Sequence, residues 1–163
     1  MPFIPRKPVH CRSAFGRRAS SWGGATTATQ EMSDLGAGHD VPVVRSDPTE
    51  HPVLSVWRPV FCEVVRAFVE RDYRLGAGIP GVAPVAPDTA EQIEEYIRAY
   101  AEVLVPLPEA TWETSVSIWM GDHWDVLVDL WTEREGRSDM VLAAQVSETA
   151  SGFAFQVNLV YVP

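Results

Sequence analysis

The chain has 163 residues, of which 46% are hydrophobic, and a formal net charge of −9. That length suffices for one domain with an appendage, so no disulfide or metal staple is required. The two cysteines, Cys11 and Cys62, match no zinc or redox spacing, which predicts free thiols and a reducing, cytoplasmic setting. No apolar run approaches the roughly 18 residues of a membrane helix.

Charge is divided unevenly. Residues 1–30 hold Arg6, Lys7, Arg12, Arg17 and Arg18 and no acid, a charge of +5, whereas the remainder sets eight arginines against 22 carboxylates and stands at −14. The first fifty residues are rich in Ser, Thr, Gly, Pro and Ala without a sustained apolar period, so residues 1–50 read as a disordered arm. The arm has the composition of a transit peptide, but it lacks an amphipathic period. A start at Met32, where the basic composition ends, is an equal alternative. The domain proper is assigned to residues 51–163. Its acidity disfavours nucleic acid and suits a basic protein partner, although acidity also serves solubility alone.

Between Ser55 and Arg74 the apolar residues Trp57, Phe61, Val64, Val65, Phe68 and Val69 recur at three and four, which predicts an amphipathic helix with Pro59 in its first turn. A Gly/Pro loop follows over 76–87. Its Gly76-Ala77-Gly78-Ile79-Pro80-Gly81 matches GxGxxG in form, but the dinucleotide fingerprint lies between a strand and a helix. Here a helix precedes and prolines follow, so no nucleotide cofactor is expected. A second helix is predicted from an Asp88/Glu91 capping box, with Ile93, Ile97, Tyr100 and Leu104 as its stripe, Tyr96 and Val103 at the margins, and Pro106 and Pro108 beyond its end.

Everything after Trp112 alternates with period two. Strands are expected over 114–120, 123–132, 140–148 and 153–162. In the last of these Phe153, Phe155, Val157, Leu159 and Tyr161 share one face. The whole predicts an α+β fold: two amphipathic helices packed on a four-stranded antiparallel meander, in the element order of cystatin-like and NTF2-like domains. The second of these strands has a wholly apolar face, Trp124, Val126, Val128 and Leu130, and a mixed one, Asp125, Leu127, Asp129 and Trp131. Function is to be sought on the mixed face.

His123, Asp125 and Asp129 suggest a metal, but the two aspartates lie four residues apart along a strand, roughly 13 Å, too far to share one ion. No metal and no cofactor is therefore expected. Asp129 between Leu127 and Trp131 is the best candidate for acid–base chemistry, against the simpler reading of a partly exposed carboxylate that is hydrated or paired with an arginine. No GxSxG elbow or cysteine nucleophile setting accompanies it. Trp119 and Trp131 alternate with polar residues and are expected to form an exposed or pocket-lining patch. Arg137 lies in the charged connection Glu133–Asp139 and is suited to bidentate contact. Trp119, His123, Asp125, Asp129, Trp131 and Arg137 are thus the candidate binding residues.

Tyr96 to Tyr100, Trp112, Trp119, His123 to Leu130, Glu135-Gly136-Arg137-Ser138-Asp139 and the terminal Val160-Tyr161-Val162-Pro163 resemble an uncharacterised family of small bacterial α+β domains over about residues 53–163. The resemblance implies no activity. In general character the chain is also similar to toxin-neutralising immunity proteins. The expectation is a non-enzymatic, acidic interaction domain. The alternative is a small-molecule-binding or enzymatic domain with a pocket between helices and sheet, and with Asp129, His123 and Trp131 at its mouth.

Overall fold

The computed structural model describes residues 48–163. Residues 1–47 of the expected disordered arm, with Cys11 and the start at Met32, fall outside the described residues, whereas Glu50, placed in that arm, opens the first strand, β1 (Glu50–Pro52).

Helix α1 (Arg58–Val69) is shorter than its apolar period suggested, with Pro59 in the first turn and Phe61, Val64, Val65 and Phe68 buried. It ends in a Schellman turn: Asp72 donates its N–H to the Ala67 carbonyl at 2.8 Å and Arg71 donates to Phe68 at 3.0 Å. Arg71 sits in the left-handed region at φ 66°, a position that glycine usually takes. Helix α2 (Pro87–Tyr100) begins with Pro87 in its first turn, behind Ala86, and has no side-chain cap. The Asp88/Glu91 capping box is therefore not formed. Pro87 presets the helical φ and has no N–H in need of a cap. Ala90, Ile93 and Ile97 are buried on α2. Ala101, left-handed at φ 62°, ends it, so Leu104 is buried from the next strand rather than from the helix, and Tyr96 and Val103 are exposed.

The fold is α+β, but among the described residues the sheet has six strands, not four. Besides β1 it comprises β2 (Leu104–Val105), β3 (Val116–Trp119), β4 (Trp124–Thr132), β5 (Gly136–Thr149) and β6 (Gly152–Tyr161). The order is β1-β3-β4-β5-β6, antiparallel throughout, with β2 also paired to β4. One edge of β4 is thus shared: β3 takes Trp124 to Leu127 and β2 takes Trp131 and Thr132. The two additional strands have three and two residues, too short for alternation to show.

The apolar face of β4 is the core face, as its alternation predicted, with Trp124, Val126, Val128 and Leu130 all buried. Trp57 meets Trp124 edge-on at 5.3 Å between centroids, and Phe61 meets Phe155 at 5.7 Å. The second face of β4 looks away from the helices.

Two irregularities decide what that second face carries. Ala143 pairs Leu159 while Ala144 pairs Val157, which leaves Asn158 as a bulge in β6. The bulge reverses the alternation behind it. Phe155 and Val157 enter the core, but so does Val160, and Leu159 and Tyr161 turn to the opposite face, contrary to the unbroken alternation expected over 153–162. A second register shift lies between Asp129 and Trp131, whose partners are Val141 and Arg137. Ser138 fills this gap, donating its hydroxyl to the Leu130 carbonyl at 2.9 Å and accepting the Met140 N–H at 3.2 Å. Strand β5 therefore begins at Gly136, inside what was read as a polar connection.

The Gly/Pro loop runs along the outer edge of β6. Phe155 donates its N–H to the Gly81 carbonyl at 2.8 Å, and its own carbonyl accepts the Ala83 N–H at 2.9 Å. The last glycine of the GxGxxG match thus permits close approach to a strand, and the loop covers an edge that would otherwise invite pairing with another chain.

Candidate binding face

Strand pairing sets out the side chains of the outer sheet face in transverse rows. Pro52, Val116, Leu127, Ala143 and Leu159 are successive partners across five strands. The row on one side is Glu50, Ile118, Asp125, Gln145 and Gln156, and the row on the other is Asp129, Val141 and Tyr161. The buried side chains of α1 and α2 belong to the core cluster on the other face, and Leu127, Ala143 and Leu159 lie outside that cluster and are half-buried. A shallow cleft of about 320 Å³ lies here, lined among others by Ile118, Asp125, Leu127, Gln145, Asn158 and Tyr161. A second, of about 380 Å³, lies beside Asp129, Arg137, Asp139 and Val141.

The candidate residues divide between the two faces. Asp125, Asp129 and Trp131 stand on the outer face with Arg137, the register partner of Trp131. Trp119 does not join them. It pairs Trp124 across β3 and β4 and meets that ring in a tilted contact at 4.4 Å between centroids, so the expected Trp119/Trp131 patch is not formed. The polar neighbours that suggested an exposed face, Ser115 and Ser117, are themselves buried. Trp131 instead lies over Gly136, whose absent Cβ would stand 3.4 Å from the indole ring.

Asp129 is held from several directions. Its backbone spans the gap that β2 and β3 leave on β4: its N–H donates to the Ser115 hydroxyl at 3.0 Å and its carbonyl accepts the Thr111 hydroxyl at 3.3 Å. Its carboxylate accepts a hydrogen bond from Thr114 and lies 3.7 Å from the Arg137 guanidinium. This is the arginine-paired carboxylate of the simpler reading. His123, in the turn before β4, stands between two acids, with Nδ1 on Asp122 and Nε2 at 3.3 Å from Asp125. Among the described residues no three of His, Cys, Asp and Glu are gathered as a metal site would require.

Sequence reasoning missed the anchoring of the β5 bulge. The Tyr100 hydroxyl accepts the Asp139 N–H at 3.2 Å and donates to Glu135 at 2.7 Å, tying the end of α2 to the charged segment. The Asp139 N–H lowers the Tyr100 pKa, but the Glu135 carboxylate and desolvation outweigh it, so the hydroxyl stays protonated to higher pH than usual. Asp129, His123 and Trp131 stand on or beside the face opposite the helices, and so do not form the mouth of a pocket between the layers. No helix among the described residues is long and apolar enough to cross a membrane.

Fold and face together define a small α+β domain with one sheet face packed by helices and the other turned outward. The chain belongs to the family described as Domain of unknown function (DUF7668), which matches residues 65–163. No curated protein matches it, and no solved structure does.

Proposed function

We propose that the domain is a non-enzymatic protein-interaction module whose outer sheet face takes a partner segment bearing both apolar and basic side chains. The observation that supports this is the row Pro52–Val116–Leu127–Ala143–Leu159, bordered by Glu50, Asp125 and Asp129, on a body whose charge favours cationic partners. Half-exposed apolar side chains rimmed by charge supply desolvation at the centre and selectivity at the border. The catalytic alternative is weaker because the Asp129 carboxylate is engaged by Thr114 and Arg137. An immunity-type role is the special case in which the basic partner is a toxin, and a cytoplasmic setting belongs to the same proposal.

Peptide display against the full-length protein tests the reading. Selected binders are expected to combine Lys or Arg with apolar residues and to lose at least about tenfold in affinity, 1.4 kcal/mol, on Leu127→Glu and on Leu159→Glu, with circular dichroism unchanged. Acidic binders, or binders indifferent to both folded variants, would refute it.

A further inference from the structure

Residues 48–163 contain seven arginines and no lysine. Four are in ion pairs: Arg58 with Glu109, Arg66 with Glu63, Arg134 with Glu102 and Arg137 with Asp129. Arg71, Arg74 and Arg98 have no ion pair and no side-chain hydrogen bond among the described residues, although acids are in large excess. All three line two adjoining clefts on the helical side of the domain. One, of about 290 Å³, lies between the end of α1 and α2, with Arg71, Arg98, Tyr73 and an apolar wall that includes Phe68, Ile97 and Leu104. The other, of about 280 Å³, shares Arg71, Tyr73 and Glu94 with it and adds Arg74.

The backbone supplies an independent observation. Among the described residues three non-glycine residues are left-handed: Arg71, Leu75 and Ala101. Burial of Leu75 offsets its strain, and Ala101 carries only a methyl group. Arg71 is exposed and unpaired, yet occupies the helix-terminating position where glycine is least strained. Strain with no packing return marks a side chain kept for another purpose. The acids of the clefts are partly spoken for. Glu102 is bonded by Arg134, and the Asp72 carboxylate accepts the Gly76 and Ala77 N–H groups. Burial raises the Tyr73 pKa, with Glu94 adding to the effect and Arg71 and Arg98 opposing it, so its hydroxyl is a protonated donor within the field of both cations.

We propose that the cleft between the end of α1 and α2 binds a small organic anion, its carboxylate or phosphate held by Arg71 and Arg98 and its apolar body set against Phe68, Ile97 and Leu104. Arginine suits either anion because its planar fork binds both bidentately. The site is independent of the outer sheet face.

Full-length protein titrated with benzoate, phenyl phosphate, benzyl alcohol and benzylammonium, and followed by backbone amide NMR, tests this. Saturable shifts at Arg71, Tyr73 and Arg98 are expected with one or both anions, and the stronger identifies the preferred head group. The alcohol and the ammonium compound should bind at least tenfold more weakly. Arg98→Gln should weaken the anion at least tenfold, and Arg71→Gly should do so without lowering the melting temperature, which separates recognition from folding. Arg66→Gln, outside the cleft, should change neither. Equal binding of benzyl alcohol, binding that survives both Arg71→Gly and Arg98→Gln, or no saturable shift with either anion would overturn the proposal.

Discussion

Gly81 and Phe155 hold the edge of the sheet closed. The Phe155 N–H donates to the Gly81 carbonyl at 2.8 Å, and Gly81 stands at φ 80° with its missing Cβ only 3.1 Å from the Phe153 carbonyl oxygen. An alanine there meets both a left-handed backbone and a rigid oxygen. Gly78, in the same loop at φ 77°, has open space around it and isolates the first effect. Gly81→Ala is expected to cost about 2–3 kcal/mol and Gly78→Ala about 1 kcal/mol, measured by urea denaturation. Because the loop covers an edge strand, Gly81→Ala should also raise the tendency to self-associate, read by light scattering.

Ser138 and Leu130 bear a comparable relationship at the other irregular strand. The buried hydroxyl serves a carbonyl and an N–H that the register shift has deprived of strand partners. Ser138→Ala leaves both groups without that partner, for an expected loss of about 1–3 kcal/mol. Ser138→Thr keeps the hydroxyl and should recover part of the loss. Equal stability of wild type and Ser138→Ala would show that water replaces the hydroxyl.

Asp72 closes the chain after α1, and hydrogen bonds from the Gly76 and then the Ala77 N–H hold its carboxyl below the usual carboxylate range. A carboxylate depressed in the folded state binds its proton more readily in the unfolded chain. It therefore adds stability above its unfolded pKa and loses it as pH falls through the folded value. Asp72→Asn should melt lower than wild type at neutral pH, with the difference shrinking on acidification below about pH 4. A difference independent of pH would assign the effect to the loop's shape rather than to its charge.

The two helices and the core face of β4 were legible because burial imposes periods of 3.6 and 2 on long segments, as with Phe61, Val64, Val65 and Phe68 or Trp124, Val126, Val128 and Leu130. The α2 cap departs from the capping-box pattern because Pro87 does by ring geometry what Asp88 would do by hydrogen bonding. Trp119 was misassigned because Ser115 and Ser117 are polar yet buried, and Ser115 serves the Asp129 backbone in the gap between β2 and β3. Half of the candidate site followed from alternation alone, which placed Asp125, Asp129 and Trp131 together. Its partner rows depend on register, and no local pattern encodes the residue that bulges.

Leu159 and Val160 carry the sharpest test of that register. Unbroken alternation from Phe153 puts Leu159 inside and Val160 outside, whereas the bulge at Asn158 makes Val160 fully buried opposite Leu142 and leaves Leu159 half-exposed opposite Ala143. A carboxylate forced into the Val160 position is buried within the apolar core cluster, so Val160→Asp should cost more than about 3 kcal/mol and prevent folding near physiological temperature. Leu159→Asp leaves its charge in water and loses only part of a side chain's burial, for an expected cost of about 1 kcal/mol. Thermal melting of the two variants decides between the registers. If Leu159→Asp proves the more damaging, β6 is continuous, Leu159 belongs to the core, and the apolar row across the outer face ends at Ala143.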